Sequence, residues 1–130
     1  MELSELELRI LSELEEAGEE NICSMANTIF PPDGVAAEVG QIQKAIISLI
    51  SADLVRMGER VRNVGVQQLP KDESLVSAAM ISQMMIFDTD RQLWSCPQPM
   101  WPEITDTPSG KAQARQILSE RGYQWWRPKR

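Results

Sequence analysis

The side chains able to do chemistry in this chain are carboxylates, arginines, two cysteines and an aromatic pair, and histidine is absent altogether. Its absence removes the commonest general base and the commonest transition-metal ligand together. Readings as a zinc hydrolase or a Ser-His-Asp enzyme therefore fall. No glycine-rich phosphate loop or nucleophile motif takes their place, so the expectation is a protein that is not an enzyme and has no metal and no cofactor. Asp88-Thr89-Asp90 sets two carboxylates close enough to suggest a divalent ion, but two acids in so short a stretch are far more often turn formers. Glu13, Glu15, Glu16, Glu19 and Glu20 could face a basic partner; composition favours a solvated helix end. Three other sets suit a polyanion or a partner surface. Gln41, Lys44 and Ser48, with Glu38, recur at helical spacing, where glutamine can pair with adenine and lysine with guanine or phosphate. Arg56, Arg60 and Arg62 alternate with Val55, Val61 and Val64, as phosphate-binding arginines on a strand would; a solvated strand face accounts for them equally. Trp125-Trp126 precede Arg127, Lys129 and Arg130 and could stack on bases. They could also anchor a partner subunit, which is the reading preferred here.

Charge decides how far a nucleic-acid reading can go. The net charge is −6, and a nucleic-acid-binding domain usually carries a basic footprint. The distribution is polarised: residues 1–55 hold eleven acids against Arg9 and Lys44, a balance of −9, and residues 56–130 hold eleven bases against eight acids, a balance of +3. Only a docking face needs positive potential, so the question becomes local. At 130 residues and 42% apolar content the chain is long enough for one domain with its own core. Cys23 and Cys96 lie far apart, and the start MELSELELRI lacks the pattern of a secretory signal. Two free thiols in a reducing, cytoplasmic compartment are expected, with no membrane span, since no apolar stretch approaches the ~20 residues that one requires.

The elements that must position these groups follow from caps, breakers and periodicity. Ser4-Glu5-Leu6-Glu7 is a capping box opening a helix with Leu3, Leu6, Ile10, Leu11 and Leu14 on one stripe and Gly18 at its end. Asn21 caps a short second helix with Ile22, Met25, Ala26 and Ile29 inward, and Pro31 stops it. The turn Pro32-Asp33-Gly34 leads to a third helix over about Val35 to Ser51, whose inner face is Val39, Ile42, Ala45, Ile46, Leu49 and Ile50. Leu54 to Met57 and Arg60 to Val66 pair as a hairpin around Gly58-Glu59. An inserted helix, about 72–86, capped by Asp72 or Ser74 and rich in methionine, follows Leu69-Pro70. It reads first as core and second as an effector pocket or self-association face. Ile86-Phe87 and Gln92-Leu93-Trp94 form a second hairpin, three prolines make 96–102 irregular, and Thr107-Pro108 opens a final helix with Ala112, Ala114, Ile117 and Leu118 inward and Gly122 at its end.

The stretch Ile46-Ile47-Ser48-Leu49-Ile50-Ser51-Ala52-Asp53-Leu54-Val55 resembles the end of the third helix and first wing strand of winged helix-turn-helix domains, where leucine, three residues, glycine, leucine and valine or isoleucine are usual. Asp53 stands at the glycine position, and aspartate tolerates the left-handed geometry required there. Ile104-Thr105-Asp106-Thr107-Pro108-Ser109-Gly110 is similar to the isoleucine-threonine…glycine signature by which the last wing strand enters a C-terminal helix in many bacterial transcriptional regulators of that superfamily. Together the two cover residues 4–57 and 103–120.

The resemblance implies a mainly α fold with a small antiparallel sheet: a winged helix-turn-helix with an inserted helix and an extended wing region, one domain over 1–122 followed by an aromatic and basic tail over 123–130. The implied function is sequence-specific binding of double-stranded DNA by a dimeric transcriptional regulator. The third helix would lie in the major groove with Gln41, Lys44 and Ser48 facing bases, and Arg56, Arg60 and Arg62 would hold the backbone. Ile117, Trp125 and Trp126 would form the dimer or partner interface. The alternative is a winged-helix adaptor that binds protein and not DNA, since fold alone does not fix function.

Overall fold

Two lines of chain, one near Leu54 and one near Gly110, meet in a joint that sets the rest of the architecture. Asp53 adopts a positive φ of 62° and ends the third helix; Thr107 then donates its amide to Leu54 O at 3.0 Å and its hydroxyl to Asp53 O at 2.7 Å. Gly110 packs so closely on the Leu54 carbonyl that any Cβ there would collide with it. The computed structural model from which this geometry comes describes residues 2–30, 36–96 and 103–127. The turn expected at Pro31–Gly34, Trp101 with the rest of 97–102, and Pro128-Lys129-Arg130 lie outside those residues.

Along the chain run α1 (Glu5–Ala17), β1 (Glu20–Asn21), α2 (Ile22–Ile29), α3 (Ala36–Ser51), β2 (Val55–Val61), β3 (Gly65–Gln68), α4 (Lys71–Ala79), α5 (Ile81–Met84), β4 (Ile86–Asp88), β5 (Leu93–Ser95), β6 (Glu103–Asp106) and α6 (Pro108–Arg121). The fold is mixed: six helices, a four-stranded antiparallel sheet in the order β1-β6-β2-β3, and a separate β4-β5 ribbon among the described residues. Both halves of the Ser4/Glu7 capping box form, the Asn21 side chain accepts from Ser24 N, and Thr107 caps α6 through Gly110 N. Gly18 and Gly122 end α1 and α6 at φ 84° and 88°. The core joins the inner stripes of α1, α2 and α3 to Val55, Met57 and Ile104 of the sheet, to Ala78, Ile81 and Met85 of the insert, to Trp94 and Cys96, and to Ala114 and Ile117 of α6. Burying such side chains is what drives these short elements together.

Four local expectations are corrected. β2 does not turn at Gly58-Glu59 but continues to Val61, and the chain reverses through Arg62-Asn63-Val64. Asn63 and Gly65 supply the positive φ values, 67° and 104°, while Gly58 remains in the strand because a Cβ there would sit 2.6 Å from Val66 Cγ1 of β3. The inserted helix is broken at Met80 into α4 and α5, with Gln43 of α3 donating its amide to the Ala78 and Ala79 carbonyls at 3.1 and 2.8 Å. That bond satisfies at the break the acceptors a continuing helix would have used. Neither Asp72 nor Ser74 caps α4; Pro70 is its N-cap. Ser74 is buried and stitches the insert to the sheet, accepting from Met57 N at 3.1 Å and donating to Leu69 O at 3.0 Å. Finally, Cys23 and Cys96 are not free thiols: they form a disulfide with Cα atoms 6.6 Å apart, spanning 73 positions in sequence. The premise of two reduced cysteines is therefore withdrawn. No helix among the described residues is long and apolar enough to cross a membrane.

Candidate nucleic-acid interface

α3 shows one exposed stripe. Ala37, Gly40, Gln41, Lys44 and Ser51 are open to solvent, with Ser48 half-buried between them, while Val39, Ile42, Ala45, Ile46, Leu49 and Ile50 are sunk in the core. Three- and four-residue spacing keeps Gln41, Lys44 and Ser48 on one side of the helix. Gln41 and Lys44 are thus presented together. Ser48 is partly engaged, its hydroxyl donating to Glu7 Oε2 of α1 at 3.4 Å.

Glu38, expected beside them, is not on that stripe. It is buried, and its Oε1 accepts the Trp94 indole N–H at 3.2 Å. The cause is the β4-β5 ribbon, which folds over the start of α3 and lies along α2. The Asn27 amide pairs with the backbone of Trp94 as a neighbouring strand would, accepting from Trp94 N at 2.8 Å and donating to Trp94 O at 2.9 Å. Cys23, one helical turn earlier, bonds to Cys96, two residues later in the extended chain; the i, i+4 step of a helix thereby meets the i, i+2 step of a strand. Phe87 sits edge-on to Trp94 at 5.3 Å. The Asp88-Thr89-Asp90 turn behaves as a turn, Asp88 Oδ1 accepting from Asp90 N and Arg91 N at 3.0 and 3.2 Å.

The three arginines part company. Arg56 folds onto the end of α3, donating to Val55 O and to Asp53 Oδ1 at 2.9 Å each. With Lys71, 3.2 Å away, it holds the Asp53 carboxyl below its ordinary range, the Arg56 hydrogen bond being the larger cause. Arg60 projects from the same strand face but points at Glu103 Oε1, reached by Nη2 at 3.0 Å, with Glu19 at 3.9 Å. Arg62 stands in the β2-β3 turn, exposed, and no other described residue pairs with it. Lys71, Arg91, Lys111, Arg115, Arg121 and Arg127 are in ion pairs as well. Among the described residues only Arg9, Lys44 and Arg62 are cations without an ion pair.

At the opposite pole α6 and the residues after it close over α1. Arg121 bonds Glu5 with both guanidinium nitrogens, at 2.8 and 2.9 Å, and Arg115 reaches Glu15 at 2.9 Å. Ile117 is 7% exposed and Trp126 0%; Trp125 donates to Ser12 Oγ at 3.1 Å and Trp126 to Glu13 Oε1 at 2.8 Å. Of the three residues expected to face a second subunit, Ile117 and Trp126 are buried within their own chain and Trp125 is half-buried on α1. Nothing in the sequence warned of this, because Glu13 reads with its acidic neighbours as part of a solvated helix end. Beside this pole a groove of about 400 Å³ is lined by Gly18, Glu19, Val66, Gln68, Thr105, Asp106 and Lys111 among others. Its buried acid, Asp106, is pushed up by burial and partly brought back by Lys111 at 3.3 Å.

No protein-family model matches the chain, no curated protein matches it and no solved structure matches its fold.

Proposed function

We propose that the chain is a winged-helix DNA-binding regulator in which α3 enters the major groove and the β2-β3 turn touches the backbone. The observation that carries this reading is the exposed stripe of α3: Gln41 and Lys44 stand clear on a helix whose other sides are packed, with small residues Ala37, Gly40 and Ser51 permitting close approach. Two further features support it. The order helix, short strand, two helices, strand, and a last strand running into a helix agrees with the resemblance. The two segments that carry the resemblance also bond directly, through Thr107 and the carbonyls of Asp53 and Leu54. The contact set narrows to Gln41, Lys44 and Arg62, with Arg56 and Arg60 serving the fold. A homodimer is part of the proposal, because one copy offers few unmatched cations and a pair offers twice as many.

A second reading, an adaptor that binds protein, is favoured by one specific observation: most cations are already matched by carboxylates of the same chain in a molecule of net charge −6. A shift assay on mixed duplex DNA across a salt series separates the two. With Lys44 and Arg62 from each of two copies on phosphate, log K should fall against log salt with a slope of roughly −4, and Lys44→Ala with Arg62→Ala should abolish binding. Absence of binding at the lowest salt rejects the regulator and leaves the adaptor.

A further inference from the structure

The four-stranded sheet ends differently at its two edges. β1 is two residues long, carries Glu20 and runs directly into α2. β3 has β2 as its only neighbouring strand among the described residues. Leu69, just past β3, donates its amide to Met57 O at 2.8 Å, and in an antiparallel ladder every second residue bonds inward. With Gln67 facing Glu59 and Gly65 facing Val61, the N–H and C=O groups of Val66 and Gln68 therefore point away from β2. The Gln68 side chain reaches the other way, its amide donating across the sheet to Asp106 O at 3.1 Å. Natural sheet edges are commonly blunted by charge, proline or a covering element. From Asn63 to Leu69 no residue is charged and none is proline, in a chain of which 25% is charged.

We propose that two copies of the chain join through β3, edge to edge and antiparallel, about a two-fold axis at Gln67. The free main-chain groups set this register. Val66 exchanges both bonds with Gln68 of the partner subunit, and Gln68 does the same with the partner's Val66, which uses every outward group of the strand. Gln67 then faces the partner's Gln67, and the exposed Val64 falls opposite the partner's Pro70. Charge favours a second copy as the occupant. At a net charge of −6 two copies repel wherever their acids meet, and this edge has none. Beyond it the same register carries Arg62, which has no ion pair among the described residues, toward the exposed Asp72 and Glu73 in the first turn of the partner's α4. The two-fold axis repeats that contact at the other end. The pairing supplies an interface for the homodimer of the proposed function, but it rests on the sheet edge alone and not on DNA binding. Phosphate and the partner's acids compete for Arg62.

The test is sedimentation equilibrium of the full chain without DNA, at low salt, from about 1 μM to about 1 mM. A strand edge buries little area, so a doubling of apparent mass is expected only toward the upper end of that range. Gln68→Pro removes an outward N–H but no bond to β2, since proline is tolerated on an edge strand where its nitrogen faces out; it should keep the single mass with native circular dichroism. Gln68→Ala, which retains the N–H, should still pair. Gln67→Cys gives a second reading that does not depend on the proline variant folding. Opposed Cα atoms at such a position lie about 4.5 Å apart, within disulfide reach. With oxidised glutathione this variant should cross-link at least about tenfold faster than Thr89→Cys, which places the thiol in the exposed β4-β5 turn. A single mass at every concentration overturns the proposal and leaves the edge to an extended segment of another protein. Doubling that persists in folded Gln68→Pro, or equal cross-linking at the two cysteine positions, overturns it as well.

Discussion

The two poles of this molecule use charge in opposite ways. At the α1/α6 pole, carboxylates and arginines are matched pair by pair, Glu5 with Arg121, Glu15 with Arg115, Glu13 and Glu16 with Arg127. On the exposed face of α3 Lys44 has no ion pair among the described residues, and in the β2-β3 turn neither has Arg62. The polarity of the sequence, −9 in residues 1–55 and +3 in the remainder, is thus largely an internal arrangement in which late arginines neutralise early glutamates. A surplus of arginine in one half of a chain is evidence for a polyanion only after those intramolecular partners have been removed from the count.

Substitutions can break or sharpen that contrast. Trp126→Ala should cost about 3–5 kcal/mol, because it empties a core site and strips Glu13 of its donor; Lys44→Ala should change stability by no more than about 0.5 kcal/mol. Urea unfolding followed by circular dichroism measures both, and equal costs would end the distinction between a structural and a functional pole. The double change Cys23→Ser, Cys96→Ser should cost about 2–4 kcal/mol, since the bond closes a long loop in the unfolded chain; a melting curve with and without reductant gives the same comparison on the native sequence. Asn27→Ala should cost about 1–3 kcal/mol, as it leaves the Trp94 amide and carbonyl without their partner, and should loosen the ribbon over α3, read as faster amide exchange at Trp94. Smallest is Glu5→Gln. The Arg121 hydrogen bond, the larger cause, holds Glu5 below 4.5, so its contribution is present above that pH and lost as pH falls through the depressed value. The variant should flatten slightly the acid side of a stability profile, and at this exposed position salt should erase the difference.

Much of the architecture was legible because it is local. Caps at Ser4, Asn21 and Thr107, the stop at Gly18, and the inner stripes of α1, α2 and α3 are properties of a few neighbouring residues, and each is present. Asp53 was readable as a left-handed residue in a glycine position, and its φ is 62°. The misplaced hairpin turn had a different origin: Gly58 stands in β2 for the sake of Val66 on the facing strand, which is a tertiary demand that short-range turn rules do not register. Glu38 and Glu13 were assigned to solvent because they are charged, yet each is buried with the indole N–H of a tryptophan distant in sequence. For the candidate interface, Gln41, Lys44 and Ser48 could be placed on one helix face by period alone. The fate of Arg56 and Arg60 could not, because Glu103 joins Arg60 across 43 positions.

The insert between β2 and β6 is fastened in a way that bears on how this molecule can change. Gln43 grips the carbonyls of Ala78 and Ala79, Asn27 grips both polar groups of Trp94's peptide, and Ser74 stitches Met57's amide to Leu69's carbonyl. All three clamps read main chain, which every amino acid supplies alike. The outward side chains of the insert, Val76, Met80, Ile86 and Leu93 among them, take no part in holding it. Its path is held by bonds to main chain, so substitutions at those outward positions should leave the fold unchanged.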